Sequence, residues 1–456
     1  MQVAGQETVT YQYDGNSRLT DINTLINGVA AGFSLSYDDL GRRTSLTLPN
    51  GVKTNYTYDN ASRLLNLEHL NPAQAILESL SYVYDPNGNR TSTNRQAINL
   101  PLPNTVTNTS YNQANQMITF TPSTGSVKNM TYDENGNMTS VTNSCGTTTY
   151  DWDARNRLVG IDGYKPDCTP LTASFEYDAL GRRIEKTING RTIQHLYDGL
   201  DIVQEIENGV VSVNYIRTLN IDEPLARIKA DTAVRYYQTD ALGSIIALTD
   251  ETGAIKTQYT YDPFGNVTIS GEASDNPFQY TGRENDETGL YYYRFRYYSP
   301  ELQRFISEDP IGLLGGINLY SYVRNRPTRY IDQMGLDWRD VLIIIGDIEK
   351  RYNLKGPSSV VFTPDIDSET YAKADRWQNE ILLPSEDFCK QLDKNAFEQL
   401  YQTIYHEMRH LNAPQYQESI DFWFELFIDT GPYHQKIYRD ELQVFPSEGL
   451  YEKTRR

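Results

Sequence analysis

Aromatic and apolar residues alternate with polar ones in short runs along most of the chain, as in Tyr56-Thr57-Tyr58 and Phe175-Glu176-Tyr177. A period of two puts every second side chain on one face, so each run predicts a half-buried strand. The runs are interrupted in a recurring way. Tyr-Asp pairs stand at Tyr13-Asp14, Tyr37-Asp38, Tyr58-Asp59, Tyr84-Asp85, Tyr132-Asp133, Tyr177-Asp178 and Tyr197-Asp198, with Trp152-Asp153 and Tyr111-Asn112 as variants, at steps of 20 to 27 residues. Nine such pairs in one register are a repeat and not chance. The fuller frame is visible in Tyr58-Asp59-Asn60-Ala61-Ser62-Arg63-Leu64 and Tyr177-Asp178-Ala179-Leu180-Gly181-Arg182-Arg183. Here the Asp carboxylate opens a turn, Gly supplies a positive φ, and the Arg starts the returning strand. One repeat is one hairpin, and stacked hairpins predict a long, curling antiparallel sheet.

Composition agrees with that picture. The 456 residues suffice for two to four domains, and 35 Tyr with only 38% apolar and 22% charged residues favour half-exposed β-structure over helix bundles. With 60 acidic against 41 basic side chains the net charge is -19, which repels phosphate backbones and anionic membrane surfaces. Nucleic acid is therefore not expected as a partner. The longest apolar run, Val341 to Ile345, is far too short to span a bilayer, so no stable membrane insertion is expected. The first residues lack a basic segment and an apolar core, so no classical secretory signal is read there; the expectation is export by another route or a piece of a longer chain. Three cysteines cannot make a disulfide framework. Cys145 and Cys168 are able to pair, but the favoured reading is of plain thiols, with Cys389 alone.

The repeats resemble those of the YD-repeat, or Rhs, family, and the likeness strengthens from Tyr236 onward. Tyr259-Thr260-Tyr261-Asp262-Pro263-Phe264-Gly265, Gly289-Leu290-Tyr291-Tyr292-Tyr293-Arg294-Phe295-Arg296-Tyr297-Tyr298 and Asn318-Leu319-Tyr320-Ser321-Tyr322 look like the Rhs-associated core. The resemblance implies repeats over residues 1–235, a core over 236–336, and a β-shell around a C-terminal cargo. It also implies that the core ends in an Asp-Pro-x-Gly-Leu box at which the shell cuts the cargo free. The matching box is Asp332-Gln333-Met334-Gly335-Leu336, with Gln in place of Pro, and an intact copy stands upstream at Asp309-Pro310-Ile311-Gly312-Leu313. By this resemblance Asp309 and Asp332 form an acid and base pair, with cleavage after Leu336; the plainer reading makes both of them turn residues.

Beyond Leu336 the repeats stop. Residues 337–456 carry 22 acidic and 14 basic side chains, near -8 in net charge. Residues 337–352 read as a helix, Val360-Val361-Phe362 and residues 376–383 as short strands, and residues 395–411 as an amphipathic helix. That last helix holds His406-Glu407-Met408-Arg409-His410, an HExxH motif. Residues four apart lie one turn above each other, so His406 and His410 can reach one Zn²⁺, while Glu407 relays protons from the metal-bound water to the leaving amine. Arg409 is unusual, because a guanidinium must point away from the metal or pair with a carboxylate. Tyr416 stands where a metzincin would have its third histidine. His434 is favoured as the third ligand on donor chemistry, with Glu425 and Glu441 as alternatives, while His69 and His195 in the repeats read as structural. The sequence thus predicts a mainly β chain: an antiparallel YD-repeat sheet followed by a small α+β, zincin-like metallopeptidase over 337–456. It reads as a polymorphic toxin, secreted or delivered at the cell surface, that hydrolyses a target-cell protein, with an immunity protein and a secretion apparatus as partners. The rival reading is a non-enzymatic surface protein that binds carbohydrate or protein.

Overall fold

The computed structural model describes residues 3–336, apart from residues 4, 97, 232 and 313–316, and beyond them only three short strands. The chain is mainly antiparallel β. Eight strands, from Thr10–Tyr13 to Arg90–Arg95, form one meandering sheet, and sixteen, from Val106–Tyr111 to Val267–Gly271, form a second, each strand pairing with its sequence neighbours. Among the described residues no helix is long and apolar enough to cross a membrane.

The repeat motif builds each hairpin and then ties it to the next. At Asp59 the Oδ1 atom accepts the N–H groups of Ala61 and Arg63, both at 2.9 Å, and Oδ2 accepts the Arg63 Nε–H at 2.6 Å. Ser62 takes the positive φ, 60°, that Gly41 and Gly181 take in sister turns. What the motif does not announce is the onward reach of the arginine. Arg63 Nη1 donates to the carbonyl of Asp85 in the next turn at 2.9 Å, and its guanidinium lies 5.2 Å from the Tyr84 ring centre. Tyr84 in turn donates its hydroxyl to Leu64 O at 2.9 Å. The same cross-links recur from Arg18 to Asp38 and Tyr37, from Arg42 to Asp59 and Tyr58, and from Arg157 to Asp178 and Tyr177. The tyrosine excess is thus a set of rungs between hairpins.

Burial shows how the sheets are arranged. Val29–Tyr37 buries only Ala31, Phe33 and Leu35, one face of an alternating strand, whereas Ile245–Thr249 is buried at every position. The difference arises because the first sheet lies against strands of the second. Ile22, Phe33, Leu35 and Leu46 share a core with Ile216, Leu225, Val234 and Tyr236, and Leu67, Leu80 and Tyr82 pack on Ile246. Phe278 packs with Tyr215, Tyr237 and Leu248 in a further core. Segment 290–306 contributes Leu290, Tyr292, Tyr297, Leu302 and Ile306 to the core of the hairpins spanning residues 117–175. Buried ion pairs seal the contacts: Arg95 meets Glu78 at 2.6 Å and donates to the carbonyl of Tyr259.

One expectation is corrected. Cys145 and Cys168 are not thiols but a disulfide, with Cα atoms 5.2 Å apart. The reason is topological: Cys145 lies in the turn before strand Gly146–Trp152 and Cys168 in the turn before Pro170–Tyr177, so two hairpin turns stand side by side on one edge. Past Leu336, strand Ser359–Thr363 runs parallel to Glu380–Pro384, which pairs antiparallel with Lys373–Asp375. The first strand matches the sequence reading, and the one expected from Arg376 begins instead at Glu380. The helices expected over 337–352 and 395–411 lie outside the described residues.

Candidate active site at the end of the core

The Tyr291–Tyr293 and Arg296–Ser299 strands are joined by Arg294 and Phe295 alone, with Arg294 at a φ of 62°. This tight turn puts Arg294 and Arg296 against residues 332–336, the last of the core. Arg296 is 2% exposed, and its guanidinium lies 3.6 Å from the Phe305 ring centre. Four groups converge on it. Nη2 faces Asp309 Oδ2 at 2.8 Å and Asp332 Oδ2 at 3.4 Å, Nη1 donates to Leu319 O at 3.1 Å, and Nε donates to Gly335 O. The two aspartates singled out from sequence are therefore brought together, both buried, on a single guanidinium nitrogen.

They are turn residues as well. Asp332 Oδ1 accepts the N–H groups of Met334, Gly335 and Leu336 at 3.2, 2.7 and 2.9 Å, and Asp309 Oδ1 accepts that of Ile311 at 3.2 Å. Each carboxylate thus spends one oxygen on its own turn and offers the other to Arg296. Leu336, next to the expected scissile bond, is 1% exposed. Gln333, where the family has Pro, is held through its main-chain carbonyl, which accepts from Arg294 Nη1. Any residue supplies that acceptor, so the departure from the family's box costs this contact nothing. Arg294 is itself fixed by Asp222, whose Oδ1 lies 2.8 Å from Nη2. Burial pushes the Asp222 carboxyl up, but Arg283 and Arg294 outweigh it and hold it below its ordinary range.

Tyr293 donates its hydroxyl to that of Tyr322 at 3.2 Å beside the site. Burial, and then the nearby Asp332 charge, push the Tyr322 phenol well above its ordinary value, partly offset by its hydroxyl partners, so it stays neutral. Gly335 has a φ of 73°, and a Cβ there would sit 2.3 Å from Tyr293 O and 3.0 Å from Arg296 N. Gly335→Ala is therefore expected to lower stability by more than about 1 kcal/mol, read as a lower urea midpoint at unchanged slope.

Sequence reasoning missed Arg294, Arg296 and Asp222. The only trace of the first two is the spacing Arg294-Phe295-Arg296, which does not reveal that one arginine will gather both boxes. His69 and His195 are buried, as expected of structural residues. His69 bonds Thr54 Oγ1 at 2.8 Å and Thr239 O at 2.9 Å, and burial lowers its pKa to about 4. His406, Glu407, His410, Glu425, His434 and Glu441 lie outside the described residues, and among the described residues no group of His, Cys, Asp and Glu is arranged to hold a metal.

A two-sheet antiparallel meander, closed by a core whose last residues are gripped by two aspartates and an arginine, defines a YD-repeat shell. The chain belongs to the Teneurin YD-shell family, whose model matches residues 1–328. It is 36% identical over 203 residues to the tRNA nuclease WapA of Bacillus subtilis (strain 168), which covers 42% of this chain and 8% of that protein. It is 33% identical over 223 residues to the double-stranded DNA deaminase toxin A of Burkholderia cenocepacia (strain H111), 42% of this chain and 15% of that protein. The chain thus spans a small part of these relatives' length. Among solved structures, the crystal structure of TcdB2-TccC3-Cdc42 covers 74% of this chain and 21% of that one, at a TM-score of 0.55 and 22% identity, a likeness of fold.

Proposed function

We propose that this chain is a YD-shell toxin that cuts itself after Leu336 and thereby frees residues 337–456 as its active part. The observation that carries this is the convergence of Asp309 and Asp332 on Arg296, with Leu336 bonded to Asp332. Two buried carboxylates sharing one guanidinium suit a pair that holds a single proton between them. The ionised member takes a proton from water, whose oxygen attacks the Leu336 carbonyl; the protonated member gives its proton to the departing nitrogen of Asp337. The pair ends with its proton exchanged and one peptide bond hydrolysed. The relatives support the division of labour. They share about 200 residues with this chain yet are named for different activities, so the shared part does not fix what the toxin does.

For the freed segment the reading is a zinc peptidase acting on a target-cell protein, with an immunity protein and a secretion apparatus as partners. Its support is HExxH: His406 and His410, with His434, Glu425 or Glu441, would hold Zn²⁺, which activates a water, and Glu407 would move the proton. The purified full chain is expected to bind one zinc per molecule by metal analysis. Glu407→Gln is expected to keep the zinc while losing peptidase activity and toxicity by at least 100-fold. A full chain without stoichiometric zinc rejects this reading. The relatives' names favour a second one, in which the segment acts on nucleic acid; degradation or deamination of tRNA or DNA that survives Glu407→Gln selects it. Harmlessness of every variant on delivery would favour the surface-binding reading instead.

A further inference from the structure

The second sheet begins at an open edge. Strand Val106–Tyr111 bonds to Met117–Pro122 on one side, and among the described residues no strand pairs with its other side. The strand reads Val-Thr-Asn-Thr-Ser-Tyr, without the charge or proline that usually keeps an edge from pairing. A cleft of about 460 Å³ runs beside it, bordered by Thr107, Asn108 and Thr109 on the strand and by Gln303, Arg304 and Asn318 opposite. Met117 and Phe120 of the paired strand also line it, so the cleft opens over one face of the sheet right beside its free edge.

Arg304 is the unusual wall. It is 4% exposed, with its guanidinium 5.3 Å and 4.8 Å from the ring centres of Tyr111 and Tyr320. Nη2 donates to Asn115 O at 2.7 Å and to Asn318 Oδ1 at 3.4 Å, while Nε is buried with no hydrogen-bond partner. Other buried guanidiniums of this chain rest on carboxylates: Arg95 on Glu78, Arg183 on Glu284, Arg296 on Asp309. Among the described residues Arg304 faces tyrosines and amides, and burial pulls it below the ordinary arginine value. A buried cation with no counter-charge among the described residues, bordering an open polar cleft, is half of an ion pair.

We propose that the free edge of Val106–Tyr111 receives an extended peptide strand whose carboxylate side chain enters the cleft and pairs with Arg304. The strand edge supplies main-chain donors and acceptors and the arginine supplies selectivity, the division of roles usual when a peptide adds to a sheet. A small free anion would use the arginine and leave the edge idle, which is why the peptide is preferred. The inference is independent of self-cleavage.

The test uses the full chain and two labelled seven-residue peptides of alternating threonine and valine, one with glutamate at its centre and one with glutamine. Binding is followed by fluorescence anisotropy, and hydrogen exchange is followed at residues 106–111. The glutamate peptide is expected to bind at least 10-fold more tightly than the glutamine peptide and to slow exchange along the strand. Arg304→Gln should remove that preference. Since Arg304 is packed between rings, Asn108→Asp provides a second variant at an exposed position; it puts a like charge in the cleft and should weaken the glutamate peptide at least 10-fold at unchanged melting temperature. Equal binding of both peptides, no binding of either, or binding of inorganic phosphate that protects no strand amide would each overturn the proposal.

Discussion

Asp332→Asn is expected to leave the chain as one 456-residue species on a denaturing gel, where the parent yields two products divided after Leu336. The substitution is chosen because it separates charge from shape. An asparagine carbonyl oxygen can still accept the N–H groups of Met334, Gly335 and Leu336 that Asp332 Oδ1 accepts, so the turn persists. What is lost is the second carboxylate on Arg296 and with it the acid and base pair. Asp309→Ala removes the other member and should have the same result. Losing a positioned general acid or base slows such a step by about 10² to 10⁴-fold, so a time course over days should still find the variants intact. If Asp332→Asn is processed at the parental rate with a cut at the same bond, the aspartate pair is structural and the release mechanism is wrong.

The largest effect on stability is expected at Arg183. It is fully buried, and its guanidinium contacts both Asp286 oxygens and Glu284, the latter at 2.7 Å, with Lys186 3.1 Å from Asp286. This cluster joins a repeat strand, Arg183–Ile188, to residues 284–286 in the middle of the core. Arg183→Leu would leave two buried carboxylates with one lysine between them, and removing one partner of a buried pair costs about 3–5 kcal/mol. Urea denaturation of the variant should show a midpoint lowered accordingly. The cluster also sets a pH dependence. Burial pushes the Glu284 carboxyl up, but Arg183, His195 and Lys186 outweigh it and hold its pKa at about 2, against an ordinary 4.5. A depressed carboxylate stabilises the fold above its unfolded pKa, so this contribution is complete above about pH 5 and is lost as pH falls from 4.5 toward 2. Parent and Arg183→Leu should therefore converge in stability on acidification, and parallel pH curves would count against the cluster's role.

The hairpins were legible because their chemistry is local. An aspartate bonding N–H groups two and four residues on, a positive φ one residue before the arginine, and alternating side chains all fall within the frame a reader scans. The aspartate pair was found by its motif, not by geometry, since nothing in residues 309–313 or 332–336 says that Arg296 will collect both. The disulfide was misjudged for a related reason: cysteines 23 positions apart give no hint that their turns share an edge. The HExxH segment rests on helical spacing alone.

The sequence by itself determined the repeat, the antiparallel hairpin and the turn that closes it, because these depend on contacts between residues close together in the chain. Only the tertiary structure decided that the first sheet would lie on the second and bury both faces of Ile245–Thr249. It likewise decided that Arg296 would hold two distant aspartates, and that Arg304 would lie beside an open strand edge with no counter-charge among the described residues. Those outcomes depend on how strands curl and pack over long separations, and a guanidinium buried by that packing takes whichever partners the fold carries to it.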